Sequence, residues 1–153
     1  LRDQEGRNMK NYIFALLVIM CLASSKEKRE TGPQAIHYGE DVCERCKMII
    51  SDKRFAAQYI TKRGEAKKFD DIGCMIDELK EGKNSGYRVL AIYVTDYDTG
   101  EWIDAGGAYY LRNTELKTPM GYGIAAFGSE ESLRSNRFFK GGQELGRLDD
   151  LLK

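Results

Sequence analysis

From residue 49 onward the apolar positions fall into short runs that change period. Residues 55–61 (FAAQYIT) gather side chains that suit a strand, and Lys62-Arg63-Gly64-Glu65 interrupts them with turn chemistry. Residues 66–69 form a second short strand. Asp70-Asp71 then supplies N-cap chemistry, and Ile72, Met75, Ile76 and Leu79 recur at helical spacing, which predicts a helix ending near Gly82. Residues 87–96 (YRVLAIYVTD) are the clearest strand in the chain.

The second half repeats that order. Residues 108–112 (AYYLR) and 123–127 (GIAAF) read as strands, Ser129 opens a helix running to about Phe138, Gly141-Gly142 ends it, and residues 143–147 form a last strand. Both halves are β-β-α-β, and Phe69 and Phe127 each stand immediately before the helix of their half. An internal duplication explains this economically. The fold class expected is therefore α+β, a tandem β-β-α-β repeat with helices packed on antiparallel sheet, divided at about residues 41–97 and 98–153.

The N-terminal pattern is different. An apolar run over residues 12–23 follows Met9 and Lys10, and twelve helical residues rise only about 18 Å, short of a hydrocarbon core of about 30 Å. A secretory h-region is the better reading, with Leu1 to Asn8 as upstream sequence ahead of an initiator Met9. Cys21 closes the run and resembles the acylated cysteine of a bacterial lipobox, although Met20 stands where a small residue is usual. Cleavage after Ala23-Ser24-Ser25 is the alternative. Residues 1–25 are thus expected to be upstream and signal sequence, and residues 26–40, polar and carrying Gly32-Pro33, a flexible tether. The domain proper starts near Asp41.

Charge narrows the function. Lys plus Arg and Asp plus Glu are 24 each, so the basic footprint that nucleic-acid binding requires is missing and no nucleic-acid partner is expected. Of the 4 cysteines, Cys21 belongs to the leader, leaving Cys43, Cys46 and Cys74. An odd number in an exported domain suits a disulfide framework poorly and a thiolate metal site better.

The segment Cys43-Glu44-Arg45-Cys46-Lys47-Met48 carries that chemistry. Thiolate and thioether are soft donors that together select Cu(I), whereas Zn²⁺ takes thiolate and imidazole and rarely thioether. Three other readings stay open: a zinc site of three cysteines and His37, a redox pair, and a local Cys43–Cys46 disulfide with Met48 in the core. A thioredoxin-like role fits the context badly, because the motif precedes the first strand. Met120, in Thr118-Pro119-Met120-Gly121, is displayed on a turn between two strands and is a second thioether candidate. On the helix, Cys74 falls nearly opposite Ile72, Met75, Ile76 and Leu79, so it is not an obvious core cysteine; a buried hydrophobe is the ordinary reading of a free cysteine, a ligand or redox partner is the alternative, and its first-turn position would favour thiolate. His37, in the tether, is a possible labile ligand.

Taken together, Asp41-x-Cys43-x-x-Cys46-x-Met48-Ile49-Ile50, Phe69-Asp70-Asp71-Ile72-Gly73-Cys74-Met75, Trp102-Ile103-Asp104-Ala105 and Thr118-Pro119-Met120-Gly121 resemble the NosL family. Gly141-Gly142 with Leu145 fits as well, and the resemblance covers residues 41–152. It implies a copper-binding outer-membrane or periplasmic-face lipoprotein, linked to copper delivery for nitrous oxide reductase. It also implies a tandem β-β-α-β fold distantly related to the organomercurial lyase domain. Carried over by residue, it points to Cys43, Met48 and Met120 as Cu(I) ligands, with Cys46 completing the C-x-x-C of a subset of members. Lys47 departs from the glycine common at its place.

The reading that follows is a Cu(I) chaperone without catalysis. Its partners would be a copper-receiving enzyme or assembly factors, and a membrane reached through the lipid on Cys21. A thiol enzyme is the alternative, performing disulfide exchange or carbon–mercury cleavage with Cys43, Cys74 and Asp71. A structural zinc domain is the third.

Overall fold

A computed structural model of the protein describes residues 31–82 and 89–153. The expected h-region and Cys21 lie outside the described residues, as do Tyr87 and Arg88 of the third predicted strand. A 3-10 turn over Lys53–Phe55 leads into β1 (Ala57–Thr61), followed by β2 (Ala66–Phe69), α1 (Ile72–Gly82) and β3 (Val89–Thr95). After β4 (Trp102–Asp104) come β5 (Tyr109–Arg112), β6 (Ile124–Phe127), α2 (Glu130–Ser135), β7 (Gln143–Gly146) and α3 (Leu148–Leu151).

The strands form a four-stranded sheet in the order β2-β1-β3-β4 and a three-stranded sheet in the order β6-β5-β7. All pairings within them are antiparallel. In each sheet the first strand of the half is central, flanked by its hairpin partner and by the strand that returns after the helix. The α+β class and the repeated β-β-α-β order both appear in the fold.

Five details depart from the sequence reading. The first strand starts at Ala57, because Asp52 caps a 3-10 turn by accepting from the Arg54 N–H at 3.1 Å. The strand β4, an edge addition paired through Val94↔Ile103, was not predicted; three residues are too few to establish a period. The second helix stops at Ser135, where Asn136 takes an extended backbone. The short α3 was missed for want of length. The tether also ends earlier than expected. Gln34 exchanges two 2.9 Å hydrogen bonds with buried Gln58 of β1, and Ile36 is buried.

Asp96 joins the two sheets. It follows β3, bridges in parallel to Ala126 of β6, and accepts from the Gly128 N–H at 2.6 Å and the Thr99 N–H at 2.8 Å. Those bonds satisfy a buried carboxylate that would otherwise be costly. The main core packs Ile72, Met75 and Ile76 of α1 against Tyr59, Phe69 and Val94 of the first sheet, and reaches Tyr110 and Ile124 of the second. Each such burial stabilises the fold by about 1.5–3 kcal/mol. A smaller cluster holds Phe55, Leu111, Phe127 and Leu133.

Candidate metal centre

The ligand loop over residues 43–48 is a tight reversal. The Cys43 N–H donates to the Met48 carbonyl at 2.8 Å, the Lys47 N–H donates to the Cys43 carbonyl at 3.1 Å, and Val42 bridges antiparallel to Ile49. Closing it takes Lys47 into left-handed backbone, φ 64°. A side chain there costs about 1–2 kcal/mol, which is the physical reason a glycine suits that place. The loop is tied to β2 by the Glu44 N–H on the Lys68 carbonyl at 2.8 Å and by Lys67 on Glu44 at 2.9 Å. Arg45 ties it to α1 through a bidentate pair with Glu81, at 2.6 and 2.9 Å, with Glu78 at 3.4 Å.

The turn at residues 118–123 approaches from the other side. The Asp71 carboxylate caps α1 by accepting from the Gly73 N–H at 2.9 Å, and its other oxygen accepts from the Met120 N–H at 3.0 Å. Burial pushes the Asp71 carboxyl up even so. Tyr122 lies flat on Gly73, where a Cβ would meet the ring at 2.0 Å, and its hydroxyl donates to Asp77. Only glycine lets the turn sit this close to the helix.

Between loop, helix and turn lies an open groove of about 430 Å³ lined by Glu44, Arg45, Cys46, Cys74, Glu78, Met120 and Tyr122. At its base the thiols of Cys43, Cys46 and Cys74 and a carboxylate oxygen of Asp70 all lie within 4.8 Å of one another. All three cysteines are free thiols, so the local Cys43–Cys46 disulfide is not formed. Cys43, Cys74 and Asp70 are buried, and Cys46 is half-buried at the groove wall. The Cys46 thiol donates to Asp70 Oδ1 at 3.4 Å, while Asp70 Oδ2 is buried with no hydrogen-bond partner.

Ionisation is shared unequally. The Cys43 sulfur accepts from the Cys74 thiol and from the backbone N–H groups of Asp70 and Cys46, which together lower its pKa to about 6 against the cost of burial. Burial raises Cys46 to about 11. Cys74 is pushed up as the proton donor to Cys43, with burial adding to the effect.

Cys74 is buried, as free cysteines ordinarily are, against what the helical apolar stripe alone suggests, and its expected thiolate is corrected. It is buried because the face of α1 opposite the apolar stripe is covered by the ligand loop and by Tyr122, leaving Ile72, Gly73, Cys74, Met75 and Ile76 all buried. Its thiol is also held protonated rather than ionised, since the hydrogen bond to Cys43 outweighs the helix terminus.

The remaining residues separate. Met120 lines the groove and is 43% exposed, whereas Met48 is 58% exposed and does not line it. His37 lies away from the cluster with its side chain 70% exposed, its Nδ1 3.8 Å from Asp41. Asp71, offered by the sequence as the carboxylate for thiol chemistry, is occupied with capping and with Met120. The carboxylate that faces the sulfurs is Asp70, which sequence reasoning treated only as part of a cap. The signal for it was the Asp-Asp pair itself, since one cap needs one carboxylate.

Comparison with known proteins identifies the family. The chain is 33% identical over 148 residues to the copper-binding lipoprotein NosL of Stutzerimonas stutzeri, an alignment covering 87% of this chain and 75% of that protein. Its fold is similar to the crystal structure of the copper chaperone NosL from Shewanella denitrificans. The TM-score is 0.65 at 22% identity, over 78% of this chain and 94% of that one. The NosL family pattern matches residues 33–152, and the chain belongs to the NosL family.

Proposed function

We propose that the protein binds Cu(I) and carries it to a copper-receiving protein, as a carrier rather than an enzyme. One observation carries the reading. The thiols of Cys46 and Cys74 and the thioether of Met120 line one groove, with the Cys43 thiol within 4.8 Å of both other sulfurs. Thiolate with thioether is a donor set that selects Cu(I) over harder ions. The Stutzerimonas relative is described as copper-binding and the Shewanella one as a copper chaperone, which supports the same assignment.

The ligand roles follow from placement. Cys46 and Met120 take the ion at the groove wall. Cys43, ionised at the lowest pH of the three thiols, supplies negative charge from behind. Met48 sits at the solvent edge, where it meets an ion entering or leaving. His37 is not part of the thiol and carboxylate cluster, and its exposed side chain stays solvated in this reading.

Export, acylation of Cys21 and attachment to the periplasmic face of a membrane complete the reading, and the lipoprotein description of the Stutzerimonas relative supports them. Nitrous oxide reductase, directly or through its assembly factors, is the recipient we propose. Mixing the Cu(I)-loaded protein with metal-free reductase and assembly factors tests this. Copper should move to the reductase and restore its colour and turnover. Retention of all copper on the carrier would refute that recipient.

A further inference from the structure

We infer that a second pocket, sharing no residue with the groove, binds a single phosphate group. It lies between the 3-10 turn, the loop over residues 113–117 and the segment that follows α2. Its volume is about 140 Å³, well under the roughly 300–1,000 Å³ of a pocket for a drug-sized ligand. A small ion or one head group is what fits.

Its charges come from three separate segments. Arg54, Lys117 and Arg137 line the pocket, against one carboxylate, Glu115. Arg54 is held by Asp52 through Nε at 3.0 Å and Nη2 at 2.7 Å. Among the described residues Lys117 has no ion pair, and Arg137 has only a ring beneath it. Three cations against the carboxylates of Glu115 and Asp52 leave one positive charge without a counterpart. The Arg137 guanidinium stands 4.5 Å from the Phe138 ring centre, and that of Arg54 5.7 Å from the Tyr97 ring centre. Stacking covers one face of Arg137 and leaves its N–H edge, a fork that matches phosphate oxygens.

The pocket is held in shape by the fold itself. The buried Asn113 side chain donates to the Phe138 carbonyl at 2.7 Å, and its Oδ1 accepts from the Glu115 N–H at 2.8 Å. The Leu116 N–H donates to the Asn113 carbonyl at 3.1 Å. One residue therefore fastens the loop bearing Lys117 to the segment bearing Arg137. Tyr97 packs on Phe55, Phe127 and Phe138, with ring centres 5.8, 5.7 and 6.3 Å away.

Cations from three segments suit a tetrahedral anion that can offer an oxygen to each, whereas a carboxylate has only two oxygens. A single site of this size is not the basic stripe that a nucleic-acid backbone needs. The phosphate is either a free ion or the head group of a phospholipid, and the experiment separates the two. The assignment does not rest on the copper reading.

The full chain, reduced and in chloride buffer, is titrated with inorganic phosphate by calorimetry and with phosphatidylglycerol vesicles by sedimentation. A free-ion site takes one phosphate per chain, and Lys117→Gln and Arg137→Gln should each weaken it about tenfold, the worth of one charge-assisted hydrogen bond. A head-group site instead shows in the vesicles, where the double variant of those two should bind at least about tenfold less tightly than the wild type. The N-terminal apolar run is common to both proteins and cancels. An Arg112→Gln, Lys140→Gln double variant, equal in charge but outside the pocket, should bind as the wild type does. Glu115→Gln keeps every cation and should tighten whichever ligand binds, which decides the matter even where a cation variant fails to fold. Four results would overturn the proposal: acetate bound as tightly as phosphate, equal losses in the two double variants, no tightening in Glu115→Gln, or no binding of either ligand by the wild type.

Discussion

The backbone N–H of Met120 donates to the carboxylate of Asp71 at 3.0 Å, so a turn of the second repeat is fastened to the helix start of the first. The same carboxylate caps α1. The thioether's position and the helix end that presents Cys74 therefore depend on one side chain. Asp71→Ala should cost about 1–2 kcal/mol from the lost cap and free Met120 to move. Denaturant unfolding measures the first effect and Cu(I) competition with a chelator the second. A variant that unfolds earlier yet binds Cu(I) as before would separate Met120 from the site.

Gly73 sets the distance between that turn and α1. A Cβ there meets the Tyr122 ring at 2.0 Å, so Gly73→Ala should destabilise by about 1–3 kcal/mol and weaken Cu(I) by displacing the turn. In a Tyr122→Ala background the same substitution should cost much less. A double-mutant cycle reads the coupling, and additive costs would show that the contact is not what matters.

Lys47 holds left-handed backbone at φ 64°. Lys47→Gly removes a penalty of about 1–2 kcal/mol and adds about 0.5–1 kcal/mol of chain entropy, a net gain of about 0.5–1 kcal/mol. Thermal melting of the two reduced proteins checks it; a lower midpoint for Lys47→Gly would contradict the loop geometry.

The reduced, metal-free protein should also depend on pH in a particular window. Cys43 has its pKa lowered from 9.0 to about 6, so between those values the unfolded chain binds more protons and stability rises with pH. That contribution is lost as pH falls through about 6. Cys46 and Cys74 are shifted upward, so above about pH 9 they act in the opposite sense and stability falls again. Unfolding followed from pH 6 to 10 should pass through a maximum near 9, and Cys43→Ser should lose the rising limb. An unchanged profile in that variant would place the early proton elsewhere.

Much of this was legible in the chain. Period and turn chemistry located β1, β2, α1, β5 and β6, because each carries a local pattern that its tertiary setting does not override. Donor type and spacing singled out Cys43, Cys46 and Met120, and the fold puts Cys43 and Cys46 in the thiol cluster and Met120 on the groove. What failed was long-range. Cys74 was no obvious core residue by its stripe because helical periodicity knows only one partner surface, and here a loop from one side and Tyr122 from the other cover the rest. Asp70 looked like a cap for the same reason: nothing local says that residues 43, 46 and 74 converge on it. Strand β4 and helix α3 are too short to carry a period and exist through pairing and packing alone.

The carrier reading stands or falls on the ion's immediate neighbours. X-ray absorption of the reduced, Cu(I)-loaded protein measures them directly. A first shell made wholly of sulfur, reduced in number by Met120→Leu and by Cys46→Ser, is the expected result. A nitrogen shell from His37, or a sulfur shell that neither substitution alters, would contradict the groove as the copper site.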